Sequence, residues 1–129
     1  MKAIALVRPS PIAGSWYSDN PKKLAQEVDA YLDNAVLPEL DGDVVAVIAP
    51  HAGYFYSGAV AGYAFTAIRD RDFDLVALLS PMHAPHRDAF LSAEHAFYAT
   101  PFGRVPIAQN MVNAVSTDLE ENLGFGITP

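Results

Sequence analysis

Val44-Val45-Ala46-Val47-Ile48-Ala49-Pro50-His51-Ala52-Gly53-Tyr54-Phe55-Tyr56-Ser57-Gly58 runs from an unbroken apolar segment into a histidine and then a glycine-containing turn. Leu75-Val76-Ala77-Leu78-Leu79-Ser80-Pro81-Met82-His83 repeats the arrangement. Continuous rather than alternating apolar residues are the pattern of strands covered on both faces by helices. Ser57 to Ile68, lying between them, has the length of a crossover helix, so Val44 to Ser80 reads as one right-handed βαβ unit of a parallel sheet. Both histidines then leave the sheet at one edge, where open α/β sheets keep their chemistry. Imidazole is the commonest protein ligand for transition metals, and two converging rings begin a site. A histidine at a strand end can equally satisfy loop carbonyls. His86, in the polar turn Pro85-His86-Arg87-Asp88, and His95, after Glu94, read as solvated loop residues.

Outward from this unit, Asp19-Asn20-Pro21 supplies a helix cap followed by proline at the first helical position. Leu24, Val28, Tyr31, Leu32 and Ala35 follow at helical spacing, with Lys22, Lys23, Gln26, Glu27 and Asp33 on the other side. Before this helix come a short strand at Lys2 to Val7 and an irregular strap from Pro9 to Tyr17, extended by its prolines and turned at Gly14. In the crossover helix Ser57 is the expected N-cap, and Gly58 and Gly62 allow a neighbour to approach closely. Gly53 suits a positive φ or an open face for a ligand. Tyr54 and Tyr56 read either as wall residues with hydroxyls at the surface or, for Tyr54, as a pocket-lining donor. Ala89 to Ala93 reads as a strand, Thr100-Pro101-Phe102-Gly103 as a turn, and Pro106 as the start of a last helix carrying Ile107, Met111, Val112, Val115 and Leu119. Glu120 to Pro129 reads as a fraying end.

At 129 residues and 51% hydrophobic, the chain can bury one core, and a single domain over 1–129 is expected. Fifteen acidic against eight basic residues give a formal charge of −7, which argues against nucleic acid as a partner. The chain has no cysteine, which excludes disulfides and thiolate ligands from it. No stretch approaches the roughly 20 apolar residues of a membrane span, and no leader pattern opens the chain, so a cytoplasmic location is expected. No nucleotide-binding glycine pattern such as GxxxxGK[ST] or GxGxxG is present.

Arg8-Pro9 through Ala13-Gly14-Ser15-Trp16-Tyr17, Pro50-His51-Ala52-Gly53-Tyr54 with Tyr56-Ser57-Gly58, Pro81-Met82-His83, and Tyr98-Ala99-Thr100-Pro101-Phe102-Gly103 resemble the successive signatures of the Memo family. That family includes the B component of the AmmeMemoRadiSam grouping. The resemblance runs from about Arg8 onward and looks like the N-terminal part of a Memo protein, so the domain is expected to be incomplete relative to the family. It implies a three-layer α/β/α fold with a largely parallel central sheet, shared with class III extradiol ring-cleaving dioxygenases. It also implies a divalent-metal site, iron or copper with zinc open, in which His51 and His83 match the first two site histidines. The other two family site residues, a histidine and a cysteine, have no counterpart here. The family usually has serine before the second histidine and often another histidine after it, where this chain has Met82 and Ala84; a thioether cannot orient an imidazole as a hydroxyl can.

Two functions follow as expectations. In the first, His51 and His83 are metal-binding and catalytic residues of a metal-dependent oxidoreductase, Gly53 and Tyr54 contact substrate, and Glu94, Glu120 or Glu121 is a carboxylate that could stand in as third ligand. In the second, the chain is a non-catalytic binding module for a peptide, a small molecule or a protein partner. Apolar surface left uncovered by a partial fold leads to the further expectation of a homo-oligomer or a complementary chain.

Overall fold

The computed structural model describes residues 6–128. The chain is a mixed α/β protein with elements in the order β1 (Val7–Arg8), α1 (Pro21–Asp33), α2 (Tyr54–Thr66), β2 (Phe90–Leu91), β3 (Phe97–Thr100), β4 (Gly103–Pro106), α3 (Gln109–Leu123) and β5 (Ile127–Thr128). These fall into two compact units. One is Pro11–Val76, and the other comprises the described parts of Met1–Ser10 and Ala77–Pro129.

The Pro11–Val76 unit is built on a helix pair. Asn20 caps α1 as its sequence predicts: the backbone N–H of Lys23 donates to Asn20 Oδ1 at 3.1 Å, and Pro21 occupies the first turn. The apolar stripe of α1 faces α2, with Leu24 buried and Tyr31 and Leu32 half-buried, and Ala35, just past the helix end, is buried too. Burying Leu24 contributes about 1.5–3 kcal/mol. The helices approach closely because α2 offers Gly58 and Gly62, both buried, to Tyr31. A Cβ on Gly58 would stand 2.6 Å from the Tyr31 ring, and one on Gly62 would stand 2.6 Å from the Tyr31 carbonyl oxygen. Thr66 Oγ1 donates to the Leu32 carbonyl at 3.1 Å, and Arg69 Nη1 to Asp33 Oδ1 at 2.6 Å, tying the far ends of the pair.

Three expectations for this unit are corrected. The run Val44–Ala49 is neither strand nor buried: Ile48 is 98% exposed, and the residues join no ladder among those described. An apolar run becomes a strand only where partners exist for its N–H and C=O groups. The N-cap of α2 is Gly53, not Ser57, because the helix begins at Tyr54 and Ser57 lies in its first turn with Oγ donating to the Ala52 carbonyl at 3.2 Å. Gly53 itself has φ −54°, so no left-handed conformation requires glycine there.

In the other unit β1 pairs parallel with β3, and β3 pairs antiparallel with β4, giving the order β1-β3-β4. Thr100-Pro101-Phe102-Gly103 is the hairpin turn expected. Thr100 Oγ1 donates to the Gly103 carbonyl at 2.9 Å and accepts from the Phe102 N–H at 3.2 Å, and Gly103 adopts φ 126°, which a side chain would oppose. Pro106 does not open the last helix. It ends β4 opposite Phe97, on an edge strand where its missing N–H costs no ladder bond, and α3 starts at Gln109. Gln109 Nε2 donates to the Ala93 and His95 carbonyls at 2.7 and 2.9 Å, holding the segment before β3.

The expected fraying end is also corrected. Gly124, in the left-handed region at φ 78°, ends α3, and the chain returns as β5 beside β2 in parallel register, Phe90 opposite Ile127. Strand β2 falls within the expected Ala89–Ala93 but is shorter. The run at Leu78–Leu79, like Val44–Ala49, is in no strand, and Leu78 is 86% exposed. The α/β class read from the sequence is therefore the class observed, but other segments carry its ladders. The expected strand Lys2–Val7 lies mostly outside the described residues, and β1 is its described end.

Gly62→Ala should destabilise the protein by about 1–3 kcal/mol despite the better helix propensity of alanine, because the obstructing atom is backbone. Gly58→Ala should cost less, since the Tyr31 ring can turn aside. Asn20→Ala should cost about 1 kcal/mol. Denaturant midpoints at constant slope give all three values.

Candidate functional site

Within the Pro11–Val76 unit, two of the sequence signatures meet. The strap folds through Gly14, whose N–H donates to the Tyr17 carbonyl at 2.8 Å, while Trp16 N–H donates to the Ile12 carbonyl at 2.9 Å. This turn presents the Trp16 carbonyl to the start of α2, where Tyr54 N–H donates to it at 2.9 Å. That bond satisfies one of the donors that a helix N-terminus leaves without an internal partner. Gly53 belongs to this contact: a Cβ there would stand 3.3 Å from the Trp16 oxygen. Its lack of a side chain makes room for the strap.

Tyr54 is half-buried in a cluster of phenols. Its ring centroid lies 5.5 Å from that of Tyr17 and 6.3 Å from that of Tyr31, the latter edge-on. Tyr31 Oη donates to the Tyr54 carbonyl at 3.1 Å, so the cluster is locked to both helices. Burial, and after it the nearby Tyr17, Glu27 and Tyr31, push the Tyr54 phenol above its ordinary range. Tyr54 therefore keeps a neutral hydroxyl, and Tyr56 is exposed. Helical spacing places Tyr31 on the apolar face of α1; only the folded pair reveals it as the link between that face and Tyr54. His51 stands exposed, two residues before the α2 cap.

The other unit holds His83, His86 and His95. His83 is exposed in the segment between Pro81 and Ala84, which is neither helix nor strand. His86 Nδ1 accepts from the Asp88 N–H at 3.1 Å, the solvated-turn role expected of it. An Asp88 carboxylate oxygen stands 3.6 Å from the same nitrogen. His95 departs from the expected solvated role: its Nδ1 is buried and has no hydrogen-bond partner among the described residues. Two open clefts of about 370 and 350 Å³ flank β5. The first is lined by Arg87, Asp88, Ser116, Glu120 and Phe125 among others, the second by Glu94, Gln109 and Asn113 among others. No sequence pattern marks them, because the β2–β5 pairing joins segments far apart in the chain.

His51 and His83 thus stand in different units. Among the described residues no group of three or more His, Cys, Asp or Glu side chains is placed to hold a metal ion. Glu94, Glu120 and Glu121 are exposed and belong to no such group.

Comparison with known proteins matches residues 8–123 to the family described as Memo-like protein. The chain is 37% identical over 91 residues to the protein memo-1 homolog of Caenorhabditis elegans, covering 70% of this chain and 25% of that protein. It is 32% identical over 117 residues to a MEMO1 family protein of Thermotoga neapolitana, covering 83% and 42%. Against protein MEMO1 of Xenopus tropicalis the identity is 33% over 109 residues, covering 83% and 35%. The chain therefore spans between a quarter and under half the length of these relatives.

The raised Tyr54 pKa makes its neutral form the favoured one in the folded protein. Its contribution to stability is complete below the ordinary tyrosine pKa of about 10 and is lost as pH rises from there through the folded value. Alkaline titration followed by ultraviolet difference absorbance should show a late-ionising phenol that Tyr54→Phe removes. An unchanged titration in that variant would reassign the late group.

Proposed function

Because the chain belongs to the Memo-like family, we propose that it is a Memo-type module whose His51 and His83, the residues that resemble the family's first two site histidines, each serve as an imidazole ligand for a weakly held divalent metal, iron or copper. The observation that carries this reading is the footing of His51. The segment that bears it leads into α2, whose first N–H is pinned to the Trp16 carbonyl, so two signature segments meet beside an exposed imidazole. His83 is likewise exposed, in the signature that resembles that of the family's second site histidine. Such a metal would supply Lewis-acid or one-electron chemistry. Two ligands leave it exchangeable, and the oxidoreductase reading, with Gly53 and Tyr54 at the substrate, requires further donors from outside this set. Ring-cleaving activity of the chain on catechols is accordingly expected to be slight.

The binding-module reading is favoured by a separate observation. The Tyr17, Tyr31 and Tyr54 cluster beside Gly53 makes a rigid aromatic wall, a surface suited to an apolar or aromatic part of a peptide or small molecule. It requires no metal. Among the described residues no helix is long and apolar enough to cross a membrane.

Calorimetric titration of the protein with ferrous, cupric and zinc ions should show weak one-to-one binding that His51→Ala and His83→Ala each abolish without changing the circular dichroism. Binding should also weaken as pH falls, because protons compete for a ligating imidazole. Absence of binding in the wild type, with both variants indistinguishable from it, would leave the binding module as the function. Tight iron with ring-cleaving turnover would establish the oxidoreductase instead.

A further inference from the structure

A side-chain carboxyl and the backbone nitrogen of the next residue can condense where that nitrogen is uncrowded and free to move. Asp41-Gly42 is the one Asp-Gly pair in the chain, and Asn-Gly does not occur. The pair lies in Pro38-Glu39-Leu40-Asp41-Gly42-Asp43, which follows α1 and belongs to no helix or strand. Gly42 adopts φ 84°, and no atom stands within 4 Å of where a Cβ would be. With no side chain of its own, Gly42 leaves its nitrogen open to the Asp41 carboxyl. Among the described residues the Gly42 N–H donates to no acceptor. The tie that this loop makes among the described residues is an exposed ion pair between Arg71 and Asp43 at 3.7 Å, a contact that contributes little in water.

We infer that Asp41 is a modification site, at which the folded protein converts aspartate to isoaspartate without an enzyme. The Gly42 nitrogen bonds to Asp41 Cγ, and its proton leaves with the carboxyl hydroxyl as water, closing a succinimide ring. Water then adds to one of the two ring carbonyls. Addition at Cγ breaks the new bond and restores aspartate. Addition at the main-chain carbonyl carbon of Asp41 breaks the original peptide bond, so the chain runs through Cγ and the former main-chain carbonyl becomes a free carboxylate. One water leaves and one returns, and no oxidant or reductant is consumed. Ring closure depends on the approach of the two reacting atoms, and the structure withholds that approach from the asparagines, the natural competitors. Asn20 precedes Pro21, whose nitrogen carries no proton. After Asn34, the Ala35 N–H donates to the Leu32 carbonyl at 3.2 Å, and Asn34 Nδ2 is itself engaged with the Ala30 carbonyl at 2.7 Å. Asn110, Asn113 and Asn122 lie in α3, where the N–H that follows each is held by the helix. Isomerisation at Asp41 adds one backbone methylene between α1 and the segment that carries His51, lengthening that connection.

Purified protein kept for weeks in mildly acidic buffer, then digested and read by liquid chromatography with electron-transfer fragmentation, should accumulate a second form of the peptide containing residues 40–44. It should be equal in mass, shifted in retention, and β-linked at position 41. Asp41→Glu, which keeps the charge but has to close a larger ring, should lose this form, and Gly42→Ala should slow it several-fold. Because the folded loop does not restrain the pair, unfolding the protein in guanidinium chloride should leave the rate at Asp41 within a few-fold of the folded value. Absence of the isomer, its persistence in Asp41→Glu, faster conversion at another Asp or Asn of the folded protein, or acceleration at Asp41 of more than an order of magnitude on unfolding would each overturn the inference.

Discussion

The approach of Tyr31 to Gly58 and Gly62 is the contact on which the helical unit turns. It sets the spacing of α1 and α2, and from the same side chain a hydroxyl reaches the Tyr54 carbonyl at the start of α2. One residue thereby couples the helix interface to the turn that follows His51. Close-packed interiors transmit such constraints because a displaced side chain has no space into which to relax. The strap adds a second hold on the same turn through the Trp16 carbonyl, so the backbone leading out of His51 is fixed from two directions.

Rigidity of this kind positions an exposed imidazole but does not by itself provide a reaction. Fold and site are separable. The conspicuous residues of the Pro50-His51-Ala52-Gly53-Tyr54 segment divide between the two tasks. Gly53 makes room for the strap and Tyr54 stands in the aromatic cluster, while His51 is exposed. Thr100-Pro101-Phe102-Gly103 closes the β3–β4 hairpin through the threonine hydroxyl and the positive-φ glycine. Membership of the Memo-like family therefore owes as much to residues that shape the backbone as to residues that could bind a ligand.

Local features of the chain were legible without coordinates. The Asn20 cap, the proline in the first turn of α1, the amphipathic stripe through Leu24 and Ala35, the turn at Thr100–Gly103 and the close approach at Gly58 and Gly62 all depend on near neighbours or on the size of one side chain. Each follows from short-range sterics and hydrogen bonding. The order and spacing of the signature segments were likewise sufficient to indicate the family, as the match over residues 8–123 bears out.

Tertiary structure alone decided which segments pair. Val44–Ala49 and Leu75–Leu79 have the composition of buried strands, yet the ladders form at Val7–Arg8 with Phe97–Thr100, at Phe97–Thr100 with Gly103–Pro106, and at Phe90–Leu91 with Ile127–Thr128. A run of valines and leucines states that burial is favourable; it does not state against what, because hydrophobic attraction has no direction. Strand pairing needs a partner at a defined register, and the partner is chosen by the whole fold. For the same reason the α2 cap passed from Ser57 to Gly53: the Trp16 carbonyl, contributed from far away in the chain, accepts the first helical N–H and lets the helix begin at Tyr54. Residue types and local turns were the sequence's to determine, while pairing, register and the neighbours of each site residue were settled by contacts between distant parts of the chain.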